Sequence, residues 1–192
     1  NVGRPAFAHD GSFVIENICG LDTALSKDRK CYLYSRKIEG GHPSEPVLLP
    51  WTNKSSNYVH PSLSKDDKTL YFASDEDRSI GNYDLYVYYK KEAFGDWSYP
   101  VLLPTMVQSL GNDAFPYLDG DTLYFSSNGR IGIGGYDIFK TFKVGKNVWT
   151  SPELLPRPFN SGADDVGFIK IEGTLSSLSG YLASNRNASN LD

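Results

Sequence analysis

Helical periodicity, a basic cluster and a long apolar run are all missing from this chain of 192 residues. Without roughly 18–20 consecutive apolar residues, no transmembrane segment is expected. No signal peptide opens the chain, so an exported form requires a leader that was removed or lies outside this sequence. A net charge of −4 with scattered Lys and Arg lacks the basic face that nucleic-acid binding requires. Histidine is scarce. His9, His42 and His60 have no metal-ligand spacing, so no metal and no other cofactor is expected. No Ser stands in a Gly-x-Ser-x-Gly elbow and neither cysteine has a histidine partner in sequence, which leaves nucleophilic catalysis without visible machinery.

What is abundant is punctuation and aromatic mass: 13 Tyr, 10 Phe and 3 Trp with 18 Gly and 11 Pro, the composition of many short strands separated by turns. The strands recur. "NVGRP", "NYVHP" and "NDAFP" open three units whose prolines, Pro5, Pro61 and Pro116, lie 56 and 55 residues apart. "PVLLP", "PVLLP" and "PELLP" close them, and a fourth unit begins near "ADDVGFI". Such a period signals stacked supersecondary units. In "TLYFAS" the apolar Leu70 and Phe72 alternate with Tyr71, as a half-buried strand requires, and Asp66-Asp67 and Asp119-Gly120 suit tight hairpin turns. The expected units are about 1–56, 57–111, 112–162 and 163–192, the last incomplete.

The glycine-rich "SSNGRIGIGGYDIF" invites a phosphate-cradle reading, which needs a helix N-terminus behind the glycines. A strand-like "IFKTFKV" follows instead. The segment aligns without a gap on "FASDEDRSIGNYDLY", where only Gly81 matches one of its four glycines, so it reads as a strand-to-strand loop.

"HPSLSKDDKTLYFAS", "FPYLDGDTLYFSS", "GNYDLY" and "GGYDIF", with "SGYLASNRNASNLD" as a degraded copy, resemble the TolB-like, Pro-Asp-repeat branch of the WD40-like β-propellers. The resemblance covers nearly the whole chain. It implies an all-β fold of four-stranded antiparallel blades, about three and a half of them, hence part of a larger ring. It also implies a cell-envelope setting. Similar proteins of Bacteroidota place the propeller beside OmpA-like, peptidoglycan-binding domains, and one group serves type IX secretion. A protein partner, a periplasmic location at the outer membrane and a peptidoglycan link through domains outside this chain are the resulting expectations.

Within that frame the repeated Asp84 and Asp137 at strand starts, and Trp97 and Trp149 before the "LLP" ends, read as parts of the blade. A catalytic carboxylate pair should instead break the repeat. The sialidase-type Ser-x-Asp-x-Gly-x-x-Trp box is absent, and no enzyme activity is expected. The loops joining second and third strands share a face with the loops leading into each next blade, and rigidly held loops collect binding residues. The candidate partner-binding face comprises Arg78, Asn82, Tyr83, Asn128, Arg130, Tyr136, Asn185 and Arg186. Arg78 and Arg130 could instead brace neighbouring blades. A second reading is a carbohydrate-binding or glycoside-hydrolase-like propeller, for which Trp51, outside the repeat pattern, is the free stacking residue. Cys19 and Cys31 fall on neighbouring strands within disulfide range: either they are bonded, as an oxidising compartment allows, or they are two small core residues. "DTA" at Asp22 to Ala24 resembles a short O-glycosylation signal of exported Bacteroidota proteins.

Overall fold

The computed structural model describes residues 4–20, 30–90, 97–171 and 178–186; Asp22 to Ala24 lie outside them. Sixteen antiparallel strands form four sheets, and no helix occurs among the described residues. The first sheet contains β1 (Ala6–Phe7), β2 (Phe13–Cys19), β3 (Cys31–Glu39), β4 (His42–Pro43) and β5 (Val47–Leu48). The second contains β6 (Tyr58–Leu63), β7 (Thr69–Ser74), β8 (Asp84–Tyr89) and β9 (Val101–Leu102). β10 (Asp113–Asp119), β11 (Thr122–Ser127), β12 (Asp137–Gly145), β13 (Val148–Trp149) and β14 (Glu153–Leu154) make the third. β15 (Asp165–Lys170) and β16 (Gly180–Ser184) make a two-stranded fourth. Each sheet is a meander in chain order, which is propeller-blade topology, and no closed ring is formed among the described residues.

The outer edge of the third sheet is split: "NVWTSPELLP" pairs with β12 twice, as β13 and as β14, with a break at Ser151-Pro152 between them. Proline cannot donate to a ladder, so the edge is interrupted there. The same split gives β4 and β5.

β7 is also more buried than alternation alone implies. Leu70 and Phe72 join Ile15, Leu33, Tyr86, Tyr88 and Trp97 in a core shared with the first sheet. Tyr71 and Ala73 join Leu85, Val87, Leu123, Phe125 and Trp149 in a core shared with the third. Both faces of the strand are dry because the sheets stack face to face, and each fully buried Phe or Leu contributes about 1.5–3 kcal/mol. A smaller core of Tyr124, Ile138, Leu155 and Phe168 joins the third sheet to the fourth. Trp97 and Trp149 are buried and meet Tyr88 and Tyr71 edge-on. Cys19 and Cys31 are directly opposite each other on β2 and β3 and form a disulfide.

Candidate functional site

The loops at one end of the sheets form a continuous ridge, and its construction repeats from sheet to sheet. After the second strand ends at Ser74, Ser127 or Ser184, the next side chain accepts a backbone N–H from the loop leading into its own sheet. Asp75 takes that of Asn57 (2.5 Å), Asn128 that of Asn112 (2.7 Å) and Asn185 that of Asp164 (2.7 Å). The loop then crosses to the following sheet. Asn82 N–H donates to the Gly111 carbonyl (3.0 Å) and Asp113 N–H to that of Tyr83 (2.7 Å); one sheet on, Asp165 N–H donates to the Tyr136 carbonyl (2.8 Å). At Gly81 and Gly134 the backbones approach so closely that a Cβ would collide with the carbonyl oxygen of Gly111 or Ala163. The matched glycine of "SIGNYD" and "GIGGYD" is therefore a contact between blades, where only a residue without a side chain fits.

Three kinds of buried polar residue fix this ridge. Asp84 Oδ2 accepts the N–H groups of Ile80 and Gly81, and Asp137 Oδ2 those of Ile133 (2.8 Å) and Gly134 (2.9 Å). Asp113 and Asp165, at the first-strand starts, accept the N–H groups of Ser109 (2.5 Å) and Ser161 (2.6 Å). Gln108 and Asn160 act as an extra ladder rung. The Gln108 amide accepts from Leu85 N–H and donates to the carbonyls of Leu85 and Leu103; Asn160 does the same with Ile138 and Leu155. Sequence reasoning missed this last pair. "QSLGND" and "NSGADD" carry an amide followed five residues later by Asp, but Gln and Asn are different letters for the same donor-acceptor group.

The candidate face residues do come together on this ridge, although much of their polarity is directed inward. Arg130 donates to the Met106 (2.9 Å) and Gln108 (3.0 Å) carbonyls. Arg186 donates to those of Pro158 (2.8 Å) and Phe159 (2.9 Å) and pairs with Asp165 (2.5 Å). Arg78 pairs with Glu76 (2.5 Å) and reaches the Pro100 carbonyl (3.2 Å), and the Glu76 hydrogen bond raises its pKa further. All three arginines brace the fold. Asn128 and Asn185 are the acceptors already described, while Tyr83 and Tyr136 are half-buried phenols whose pKa burial raises. Asn82 remains exposed.

Beside exposed Arg78, Asn82 and Asn128, the ridge also displays aliphatic side chains to solvent. Ile131 is 98% and Leu110 83% exposed, with Ile80 and Ile133 beside them. In sequence these read as ordinary strand or turn residues. Their protrusion follows from the neighbouring glycines and the inward bonds of the polar residues. Among the described residues no three His, Cys, Asp or Glu side chains converge as metal ligands, and no helix is long and apolar enough to cross a membrane.

No protein-family model and no curated protein matches the chain in sequence. Its fold is similar to TolB from Acinetobacter baumannii (TM-score 0.54, 14% identity), with 96% of this chain covered and 41% of TolB. It is also similar to prolyl oligopeptidase B from Galerina marginata (TM-score 0.50, 17% identity), covering 86% of this chain and 22% of that enzyme. The chain thus spans about two fifths of the TolB length. At these identities the likeness is one of fold: a TolB-like β-propeller architecture.

Proposed function

We propose that this chain is a non-enzymatic protein-interaction scaffold, the propeller module of a longer cell-envelope protein that is peptidoglycan-associated or secretion-related. The observation that carries the reading is the ridge: Ile80, Leu110, Ile131 and Ile133 stand in water on loops that Asp84, Asp113, Asp137 and Gln108 hold rigid. Ordered, exposed aliphatic side chains with a polar surround suit the centre of a protein interface. Rigidity helps, because a preorganised surface loses little entropy on binding.

Absence of chemistry is part of the proposal. The buried carboxylates Asp84, Asp113, Asp137 and Asp165 recur by repeat position and hold backbone N–H groups of their own loops. A periplasmic location at the outer membrane draws on the disulfide, which persists in oxidising compartments, and on the sequence resemblance to OmpA-associated and type IX secretion propellers of Bacteroidota. The test is photo-crosslinking in the parent protein, in its own cells, with a photoreactive side chain at position 110 or 131. A discrete adduct with one envelope protein, lost in a Leu110→Glu/Ile131→Glu variant of unchanged melting behaviour, is expected. Adducts with no protein at either position would refute the reading.

A further inference from the structure

A second surface departs from the repeat, and it adjoins the ridge at the Pro100 carbonyl that Arg78 holds. Trp51 follows β5 and Tyr99 precedes β9; their rings stack with centroids 3.9 Å apart and planes 29° from parallel. Both face water, Trp51 46% and Tyr99 62% exposed. The repeat needs neither. Thr105 and Arg157 occupy the positions equivalent to Trp51, and Glu45 and Ser151 those equivalent to Tyr99. At the outer edge of the third sheet the corresponding strand is closed by a Lys140–Glu153 ion pair (3.3 Å).

The pair is nevertheless held firmly. Trp51 Nε1 donates to the Trp97 carbonyl (3.2 Å), the Thr52 hydroxyl to that of Leu49 (2.8 Å) and the Tyr88 hydroxyl to that of Pro50 (3.2 Å). Trp51 itself sits at φ +64°, a conformation that a bulky side chain seldom adopts. Strained residues of this kind collect at functional sites. Next to Trp51 in sequence, over β3 and β5 of the first sheet, runs a groove of about 390 Å³ that Trp97 closes from the second; Leu48, Pro50 and Trp97 line its apolar side, Ser35 and Lys37 its polar one.

We propose that Trp51, Tyr99 and this groove form a subsite for a pyranose ring of a glycan. The axial C–H bonds of a pyranose give it an apolar face that lies against an aromatic ring, while the hydroxyls around its rim need polar partners. Ser35 and Lys37 supply such groups. The indole N–H is already bonded within the protein, so Trp51 offers ring surface rather than a polar edge. Size favours a small ligand. The groove falls within the roughly 300–1,000 Å³ of small-molecule sites. Two rings and a groove are far short of the roughly 800 Å² per partner of a stable protein interface. The subsite shares no residue with the ridge, so it stands or falls independently of the proposed scaffold role.

The test titrates the whole chain with cellotetraose and, separately, chitotetraose, following tryptophan fluorescence and saturation-transfer NMR. Saturable binding of at least one, with transfer to pyranose C–H protons, is expected. Tyr99→Ala and Trp51→Ala should each weaken it about tenfold, and Trp51→Phe, which keeps a ring, by less. Tyr99→Ala carries the test if Trp51→Ala fails to fold, as a circular-dichroism melt would reveal. No saturable binding of either glycan overturns the proposal, and so does binding that survives in a folded Trp51→Ala/Tyr99→Ala variant. Capture of a protein through Trp51 that neither glycan displaces overturns it as well.

Discussion

The third and fourth sheets build the same junction from the same residue types, yet their charges behave in opposite ways. In both, an Asp at the start of the first strand accepts a serine N–H, and an Arg after the second strand clamps two carbonyls of the lead-in loop. In the fourth sheet Arg186 bonds Asp165 directly at 2.5 Å; burial disfavours the ionised carboxyl, but Ser184, Arg186 and Ser161 outweigh it and the pKa falls. In the third, Arg130 Nε stays 4.0 Å from Asp113 Oδ1, burial wins and the pKa rises. Heavier desolvation of Asp113, together with an arginine about 1.5 Å farther away, decides the sign. The second sheet solves the problem differently. Tyr58 replaces the Asp, its hydroxyl takes the N–H of Asn53 (2.9 Å) and donates to Glu76, and Glu76 pairs with Arg78. Each of these three sheets places a buried acceptor and an arginine here, by three different chemistries.

Breaking the tight pair should have the largest effect. Asp165→Asn leaves Arg186 without its anion and is expected to destabilise by about 3–4 kcal/mol, whereas Asp113→Asn, which keeps an acceptor for the Ser109 N–H and loses only a 4.0 Å contact with Arg130, should cost about 1 kcal/mol or less. Urea denaturation of both variants measures the difference, and equal losses would contradict the contrast. The first sheet extends the comparison. Ile18 and Tyr32 pair where the next two sheets pair Ser74 with Asp84 and Ser127 with Asp137, so no carboxylate stands at that strand start. The disulfide lies one pair further along. Cys19→Ser/Cys31→Ser should lower stability by about 2–3 kcal/mol, read from the urea midpoint and accompanied by faster amide exchange in β2 and β3.

Next in size is Tyr58. Tyr58→Phe removes the hydroxyl that serves both Asn53 and Glu76 and should cost about 2 kcal/mol. Tyr58→Asp restores the residue of the other two sheets but sets a second carboxylate beside Glu76, and it should cost more. Adding Glu76→Gly, which copies Gly129 of the third sheet, should then recover at least about 1 kcal/mol; a double variant no better than Tyr58→Asp alone would show that the junctions are not interchangeable.

These junctions also mark where sequence reasoning stops. The propeller architecture was legible because Pro5, Pro61 and Pro116 and the "LLP" ends repeat as letters, and because alternation in "TLYFAS" is a local property. Asp84 and Asp137 were legible as structural for the same reason. The roles of Arg78, Arg130 and Arg186 were not, because bracing and binding use the same residue type and differ only in which acceptors lie within hydrogen-bond reach. Exchange between letters hid the rest. Gln108 with Asn160, and Tyr58–Glu76 with Asp113, are equivalent as hydrogen-bonding groups and unlike as sequence. The exposure of Leu110 and Ile131 depends on glycine contacts between loops distant in sequence.

The smallest predicted effect concerns one repeat position at which the sheets differ only in side chain. His60, Phe115 and Gly167 all adopt positive φ, at 56°, 53° and 69°, and the His60 ring stacks on Phe115 with centroids 3.7 Å apart. Burial, helped by the nearby charge of Arg4, lowers the His60 pKa from 6.5 to about 4. A depressed folded-state pKa means that the contribution is present above about 6.5 and is lost as pH falls toward 4. Asp84 and Asp113, raised by burial, act in the opposite direction, favouring the fold in acid and losing that contribution as pH rises. Replacing His60 isolates its share. Because Phe115 shows that the position accepts Phe at positive φ, His60→Phe should leave the fold intact and remove about 1–1.5 kcal/mol of the stability lost between pH 7.5 and 5.5. Urea midpoints at the two pH values, compared with the unsubstituted chain, measure this; parallel pH profiles would mean that His60 is protonated in the folded sheet and that the Phe115 stack does not exclude the charge.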